Sequence, residues 1–422
     1  MNIKIRKPDR IPVRIAQDAG MISLEELVFY AAMILYVIQT YIFHSEFEHV
    51  LGASVSKTLR MLCLFVCLAK ILLAETNIAI RLVAVAGALG GFIMVIQKQA
   101  DAGINLLMLV MLLLAAKDIP FRRLCKVMFW SCLACMLAVL AGFYEGTLYQ
   151  PPMLEYQTRV REYLGFTYVS FGPIYFLNLL FCGLYAYTGR PTKENGGRCD
   201  EMPVRTWFIL IGAAAWNYWF YKETDTTLIF LVGMLFILLY IVEIKLEIDF
   251  FRDNRFIRFL AAVVFPLLAL FIYEVSVHFV PGNAFWERID DLSHNRVGLN
   301  YEGLQKYGVH LFGQVIKQNT NTAKGEYFYI DSGYMKALLN YGFILFCVIL
   351  LLYSVMFFAA VAERDIVLCM WLLCIACYAV INNNIISPVE NASILAFWYC
   401  LDLLKWDREK KRRNIVSRNT KS

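Results

Sequence analysis

The sequence predicts an all-α polytopic membrane protein, and three observations predict it. Only 18% of the 422 residues are charged while 59% are hydrophobic, against about 25% charged in an ordinary soluble domain. Apolar runs recur along nearly the whole chain, each close to the roughly 20 residues that cross a hydrocarbon core. Lysine and arginine gather in the tails and in alternate linkers, as orientation by cytoplasmic positive charge requires. The pattern predicts about 12 transmembrane helices with both termini cytoplasmic, and one long extracytoplasmic loop with short helices. The net charge of +6 is distributed for membrane orientation, so no nucleic-acid partner is expected.

A basic leader, residues 1–20, carries Lys4, Arg6, Lys7, Arg10 and Arg14 and is expected inside. The apolar run after it lacks a small-residue cleavage pattern, so the first helix is read as anchor and signal together. Predicted spans are Leu24–Phe43, Lys57–Ala74, Ile78–Ile96, Gly103–Ala116, Leu124–Phe143 and Leu164–Thr188. They continue as Thr206–Phe220, Thr226–Val242, Phe259–Phe279, Lys336–Ala360, Ile366–Ile386 and a short last span ending at Leu404. The linkers Lys117–Arg123, Gly189–Arg205 and Lys245–Arg258 and the tail 405–422 are basic and fall on one side. The organisation is thus a bundle over 21–280 with an outer segment at 144–164, a loop at 281–332 and further helices over 333–404. Asn382–Asn391 reads as a polar outer loop.

Charges within spans are few. Lys70, Glu75 and Asp101 fit near helix ends, and no carboxylate sits deep, as one usually does in an ion-coupled transporter. The 12 cysteines lie almost wholly in apolar runs. Cys132 with Cys135, and Cys374 with Cys377, have CxxC spacing but read as small core hydrophobes rather than a metal or redox centre.

Chemistry is expected in the loop 281–332, because irregular backbone cannot face lipid and a long polar insertion between membrane helices calls for a reason. It holds Arg288, His294, Arg296 and His310 and closes with Tyr327, Tyr329, Asp331 and Tyr334. Arg159 and Arg161 stand in the other outer segment. Each arginine is a fixed cation with a planar donor fork suited to phosphate oxygens. Glu162, Glu287, Asp290 and Asp291 offer the plainer alternative of solvated ion pairs, whereas Arg296 has neutral or apolar neighbours and enters the run Val297–Leu299. His294 and His310 are candidate general bases or ordinary surface histidines. His310 lies in Tyr307-Gly-Val-His-Leu-Phe-Gly313, which reads as a short amphipathic turn. Asp331 is a base or the N-cap of the following helix. Tyr327, Tyr329 and Tyr334 are stacking faces for a sugar or interfacial anchors. No P-loop or dinucleotide fingerprint occurs, so no cofactor is expected. His294 and His310, with no cysteine nearby, and the adjacent Asp290 and Asp291 lack metal-site spacing, so no metal is expected.

In layout the chain resembles the O-antigen and capsular-polysaccharide repeat-unit polymerases, a polytopic family related to the O-antigen ligases. The resemblance rests on Arg159-Val-Arg161-Glu-Tyr-Leu-Gly-Phe166, on Ser293-His-Asn-Arg296, on Tyr307–Gly313, and on Ile330-Asp-Ser-Gly-Tyr334 followed by Tyr341-Gly342. Thr224-Asp-Thr-Thr227 stands where relatives often show a Thr-Gly-Ser-Arg-like stretch. The resemblance implies a glycosyltransferase in a bacterial cytoplasmic membrane that joins polyprenyl-diphosphate-linked oligosaccharides on the outer face. It implies Arg159, Arg161 and Arg296 on the donor diphosphate, with Arg288, His310, Tyr329 and Tyr334 as further substrate contacts. Asp331 or His294 would be the base, if one is used. Membrane lipid, a chain-length regulator and a flippase are the implied partners. A ligase that transfers glycan to another acceptor, and a transporter of lipid-linked sugars, are the alternative readings.

Overall fold

The computed structural model describes residues 22–75, 77–96, 101–150, 152–155, 159–188, 203–251, 254–319, 328–383 and 385–405. The basic leader, most of the 189–205 linker, the tail beyond Lys405 and Tyr327 lie outside the described residues. The protein is all-α apart from a two-stranded hairpin, Met153–Glu155 (β1) against Arg159–Arg161 (β2). Five helices among the described residues are long and apolar enough to cross a membrane: Leu24–Phe43, Phe121–Tyr144, Thr227–Lys245, Arg255–Val277 and Gly333–Ala362. Shorter apolar helices include Phe171–Tyr187 and Ile366–Tyr378. The chain folds as two compact units, Met1–Ile248 with Ser387–Ser422, and Asp249–Ile386. This division differs from the one read in the sequence, because the Arg255–Val277 helix joins the loop and the helices that follow it.

In the first unit, local chemistry sets the helix ends. Ser23 accepts from the Glu26 amide at 3.1 Å and starts Leu24–Phe43, and Glu25 and Glu26 favour that positive helix end. Charged groups then tie several helix ends together on one side of this unit. Arg123 meets Glu26 at 2.9 Å and Lys117 meets Glu75 at 2.5 Å. Lys70 donates to the Lys117 carbonyl at 2.7 Å, and Arg122 reaches the Ala186 carbonyl at 3.0 Å. The other side collects residues 159–170. There the Glu46 amide bonds to the Gly165 carbonyl at 3.0 Å, and the Glu162 amide to that of Glu223 at 2.8 Å.

Two expectations for this unit need correction. The sixth helix begins at Phe171 rather than Leu164, because Leu164 and Gly165 take left-handed backbone and close a turn. Asn382–Asn391 is not an outer loop throughout: Val389, Glu390 and Asn391 are buried, ahead of a 3-10 turn at Ala392–Ala396 and a short helix over 397–405. Polar residues there are satisfied internally, which is why polarity misled. Asn178 donates to the Val389 carbonyl at 2.8 Å and accepts from the Ala392 amide at 2.8 Å.

In the second unit, Arg255–Val277 packs along Gly333–Ala362, with Phe265 and Tyr353 stacked at 4.6 Å. Asp249 holds Arg364 at 2.9 Å through both oxygens. Asp365 caps Ile366–Tyr378, which stops well before the expected Ile386. The expected tenth span is broken. Gly342 has φ 79° inside Gly333–Ala362, and the segment around His310 crosses it there. The Phe343 amide donates to the His310 carbonyl at 2.8 Å, that of Ile344 to Leu311 at 3.2 Å, and that of Gln314 to Asn340 at 3.1 Å. The crossing segment thus satisfies backbone groups that the break releases, as a buried helix end demands. A side chain at Gly342 would run into the Phe312 backbone.

Candidate functional site

The loop of the second unit folds as two short helices, Ala284–Leu292 and Arg296–Tyr307. Asn283 caps the first, accepting from the Phe285 amide at 3.0 Å. His294 and Asn295 form the turn between them with φ 54° and 61°. Asn295 makes no side-chain cap, and Asp290 fills that role from the preceding helix. Its carboxylate accepts from the Gly298 amide at 2.8 Å. A Cβ on Gly298 would lie 2.6 Å from that carboxylate, so glycine is what allows the approach. The Asp290–Asp291 pair noted in sequence therefore supplies a helix cap.

Arg296 is the first residue of the second helix. A cation at a helix N-terminus opposes the macrodipole, typically by 0.3–1 kcal/mol. Two anions offset this: Asp290 at the cap, and Asp331, whose Oδ2 lies 3.2 Å from Arg296 Nε. Arg296 Nη1 also donates to the Ser293 carbonyl at 3.1 Å. The contact with Asp331 is a charge contact rather than an aligned hydrogen bond, since Nε is buried and makes none. The two side chains are 24% and 22% exposed. Water still reaches part of both side chains, and with no aligned hydrogen bond between them the pair is held by charge alone. Among the described residues no group accepts from Arg296 Nη2.

Burial alternates along 328–331. Phe328 and Ile330 point inward, and Tyr329 and Asp331 are part-exposed on the other face. Lys336 lies 4.8 Å from the Tyr329 ring centre and donates to its hydroxyl at 3.3 Å. Arg296, Asp331, Tyr329 and Lys336 thus belong to one part-exposed patch of cations, a carboxylate and an aromatic face.

The remaining candidates fall elsewhere. Ser332, not Asp331, caps the following helix, accepting from Met335 at 3.4 Å. Tyr334 is fully buried and donates to the Ala376 carbonyl at 2.9 Å, so it is a core residue rather than a sugar platform. His310 is exposed, near the Tyr307 carbonyl at 3.0 Å, on the irregular segment that crosses Gly342 and not in an amphipathic turn. His294 and Arg288 are exposed, in the interhelical turn and on Ala284–Leu292.

Arg159 and Arg161 lie in the first unit, on β2. Arg159 pairs in register with Glu155, and its side chain lies outside what is described. Arg161 Nε donates to the Thr224 carbonyl at 2.9 Å, at the C-terminus of Pro203–Thr224, where the helix dipole favours a cation. Beside it, partial burial and the charge of Glu223 push the Glu162 carboxyl above the usual carboxylate range.

Sequence reasoning missed Asn300 and Lys336. Asn300 sits one turn after Arg296, in a helix interior that disfavours asparagine, and that is the signal that could have found it. Together these features define a helical membrane protein with a cation–carboxylate patch on the polar loop between two of its long helices. No protein-family model, curated protein or solved structure matches the chain.

Proposed function

We propose that this chain is a polysaccharide polymerase of a bacterial cytoplasmic membrane, joining polyprenyl-diphosphate-linked oligosaccharide repeats on the outer face. The observation that carries the reading is Arg296: a guanidinium held against its own helix dipole by a weak pair, with Nη2 left for a ligand. Folding gains little from such a placement, whereas a departing diphosphate gains much. In the proposed reaction an acceptor sugar hydroxyl attacks the anomeric carbon. The new carbon–oxygen bond forms as the carbon–phosphate-oxygen bond breaks, and the electron pair leaves with the diphosphate. Arg296 meets the charge that grows there, the setting in which a preorganised donor acts most strongly. The hydroxyl proton passes to Asp331 or to the released diphosphate. Tyr329 offers a face for a sugar ring, next to Lys336.

The reading includes about 12 spans with both termini cytoplasmic. The shared helix ends of the first unit support that alternation. Arg159 and Arg161 carry the family expectation in the other unit, and Arg161 is tested separately.

The test is the product. Cells with Arg296→Ala at normal membrane abundance should accumulate single lipid-linked repeats on the outer face and no long chains. Full-length polymer left on its carrier would identify a ligase instead, and repeats trapped on the inner face a transporter.

A further inference from the structure

Asn300 is 1% exposed, and among the described residues neither its Nδ2 nor its Oδ1 has a hydrogen-bond partner. Buried carboxamides are almost always satisfied, and leaving one bare is costly. Its place on the helix is defined by its neighbours. Arg296, Asn300, Gly303 and Tyr307 share one stripe of Arg296–Tyr307, spaced three or four residues apart. Arg296 meets Asp331, the Cα of Gly303 faces Ile330 and Leu339, and Tyr307 stacks on Phe328 at 6.0 Å. Asn300 therefore faces the same 328–331 segment, between the ion pair and Gly303.

We propose that Asn300 binds the first sugar of the donor, and so selects what Arg296 holds by its diphosphate; this rests on the function proposed above. The chemistry points to sugar rather than phosphate. A carboxamide presents donors on nitrogen and an acceptor on oxygen. Phosphate oxygens only accept and would leave Oδ1 bare, and a polyprenyl tail does neither. A sugar hydroxyl or acetamido group both donates and accepts and satisfies both ends. Such a polar site rejects a ligand that lacks the matching group far better than an apolar one does.

The test uses the purified full chain with two probes, farnesyl diphosphate and farnesyl-diphosphate-linked N-acetylglucosamine. Wild type should bind the sugar-bearing probe about tenfold more tightly, the scale of one good buried hydrogen-bond pair. Asn300→Leu, close in volume, should melt at the same or a higher temperature and bind both probes equally, with its affinity for farnesyl diphosphate unchanged. Asn300→Ala is the second variant and should lose the same preference.

If either variant keeps the sugar preference, the amide is serving the fold through a bridging water and the inference is overturned. It is overturned too if both variants fail to fold, or if wild type binds the probes alike; in neither case is the function of Arg296 affected. Wild type that binds neither probe overturns the function and this inference together.

Discussion

Arg161 and Arg296 are the same residue type, each on a polar segment flanked by apolar helices, yet their local fields are opposite. Arg161 donates to the last carbonyl of Pro203–Thr224, so the helix dipole and the hydrogen bond both reward its charge. Arg296 stands at the start of Arg296–Tyr307, where the dipole opposes it, and is steadied by a carboxylate that holds it weakly. An arginine placed with the local field is explained by folding. One placed against it is where the proposed function puts its ligand, since local rules are expected to fail where function resides.

The comparison can be broken most decisively at Arg296. In a purified polymerisation assay Arg296→Ala should lower the rate about 100-fold or more, the typical effect of removing one preorganised donor. Its melting temperature should stay within a few degrees of wild type. A rate within threefold of wild type would remove the distinction between the two arginines. Arg161→Ala should behave in the reverse sense, losing roughly 1 kcal/mol of stability. Its activity, measured on the folded fraction, should fall much less than that of Arg296→Ala. Equal loss of rate in the two would make Arg161 a ligand residue as well.

Asp331→Asn sharpens the contrast. It removes a pair worth about 1 kcal/mol at most, so the rate should drop by roughly fivefold if the carboxylate only positions Arg296. A far larger drop, together with loss of the acidic limb of the pH–rate profile, would make it the base. The smallest effect is expected at Glu162. Its carboxyl is raised by partial burial and then by Glu223, so folding favours the protonated form. That contribution is complete below the unfolded carboxylate range and is lost as pH rises through the raised value. Glu162→Gln should therefore stabilise the protein at neutral pH by a few tenths of a kcal/mol, the scale of exposed substitutions. Melting scans from pH 4 to 8 should show wild type losing stability against the variant across that window. Parallel curves would show that Glu162 is unperturbed.

Most helices were legible because lipid forces a plain rule: long apolar runs close their own hydrogen bonds. Leu24–Phe43 and Ile78–Ile96 follow the hydropathy to the residue. Reading failed where tertiary contacts replace that rule. The break at Gly342 is invisible in a run that stays apolar, since its partner is the irregular segment around His310, some thirty residues earlier. The buried 387–396 segment looked like a solvated loop because its asparagines resemble surface residues until Asn178 is seen to meet the backbone there. In the site, Arg296 and Asp331 could each be named from residue type. Their contact could not, because no periodicity links a helix start to a distant extended segment. Tyr334 misled for the opposite reason, since a motif position says nothing about which way a side chain points.

The stitch at Gly342 has a consequence for anyone who would exchange this loop for another. Two amides of a membrane helix, Phe343 and Ile344, depend on carbonyls that the loop supplies. A graft lacking that segment would leave both bare in or near hydrocarbon, at several kcal/mol each. Chimaeras that swap 280–332 alone should therefore fail to insert stably, while those that carry the loop together with Gly333–Ala362 should survive. Loop and membrane helix are inherited as one piece.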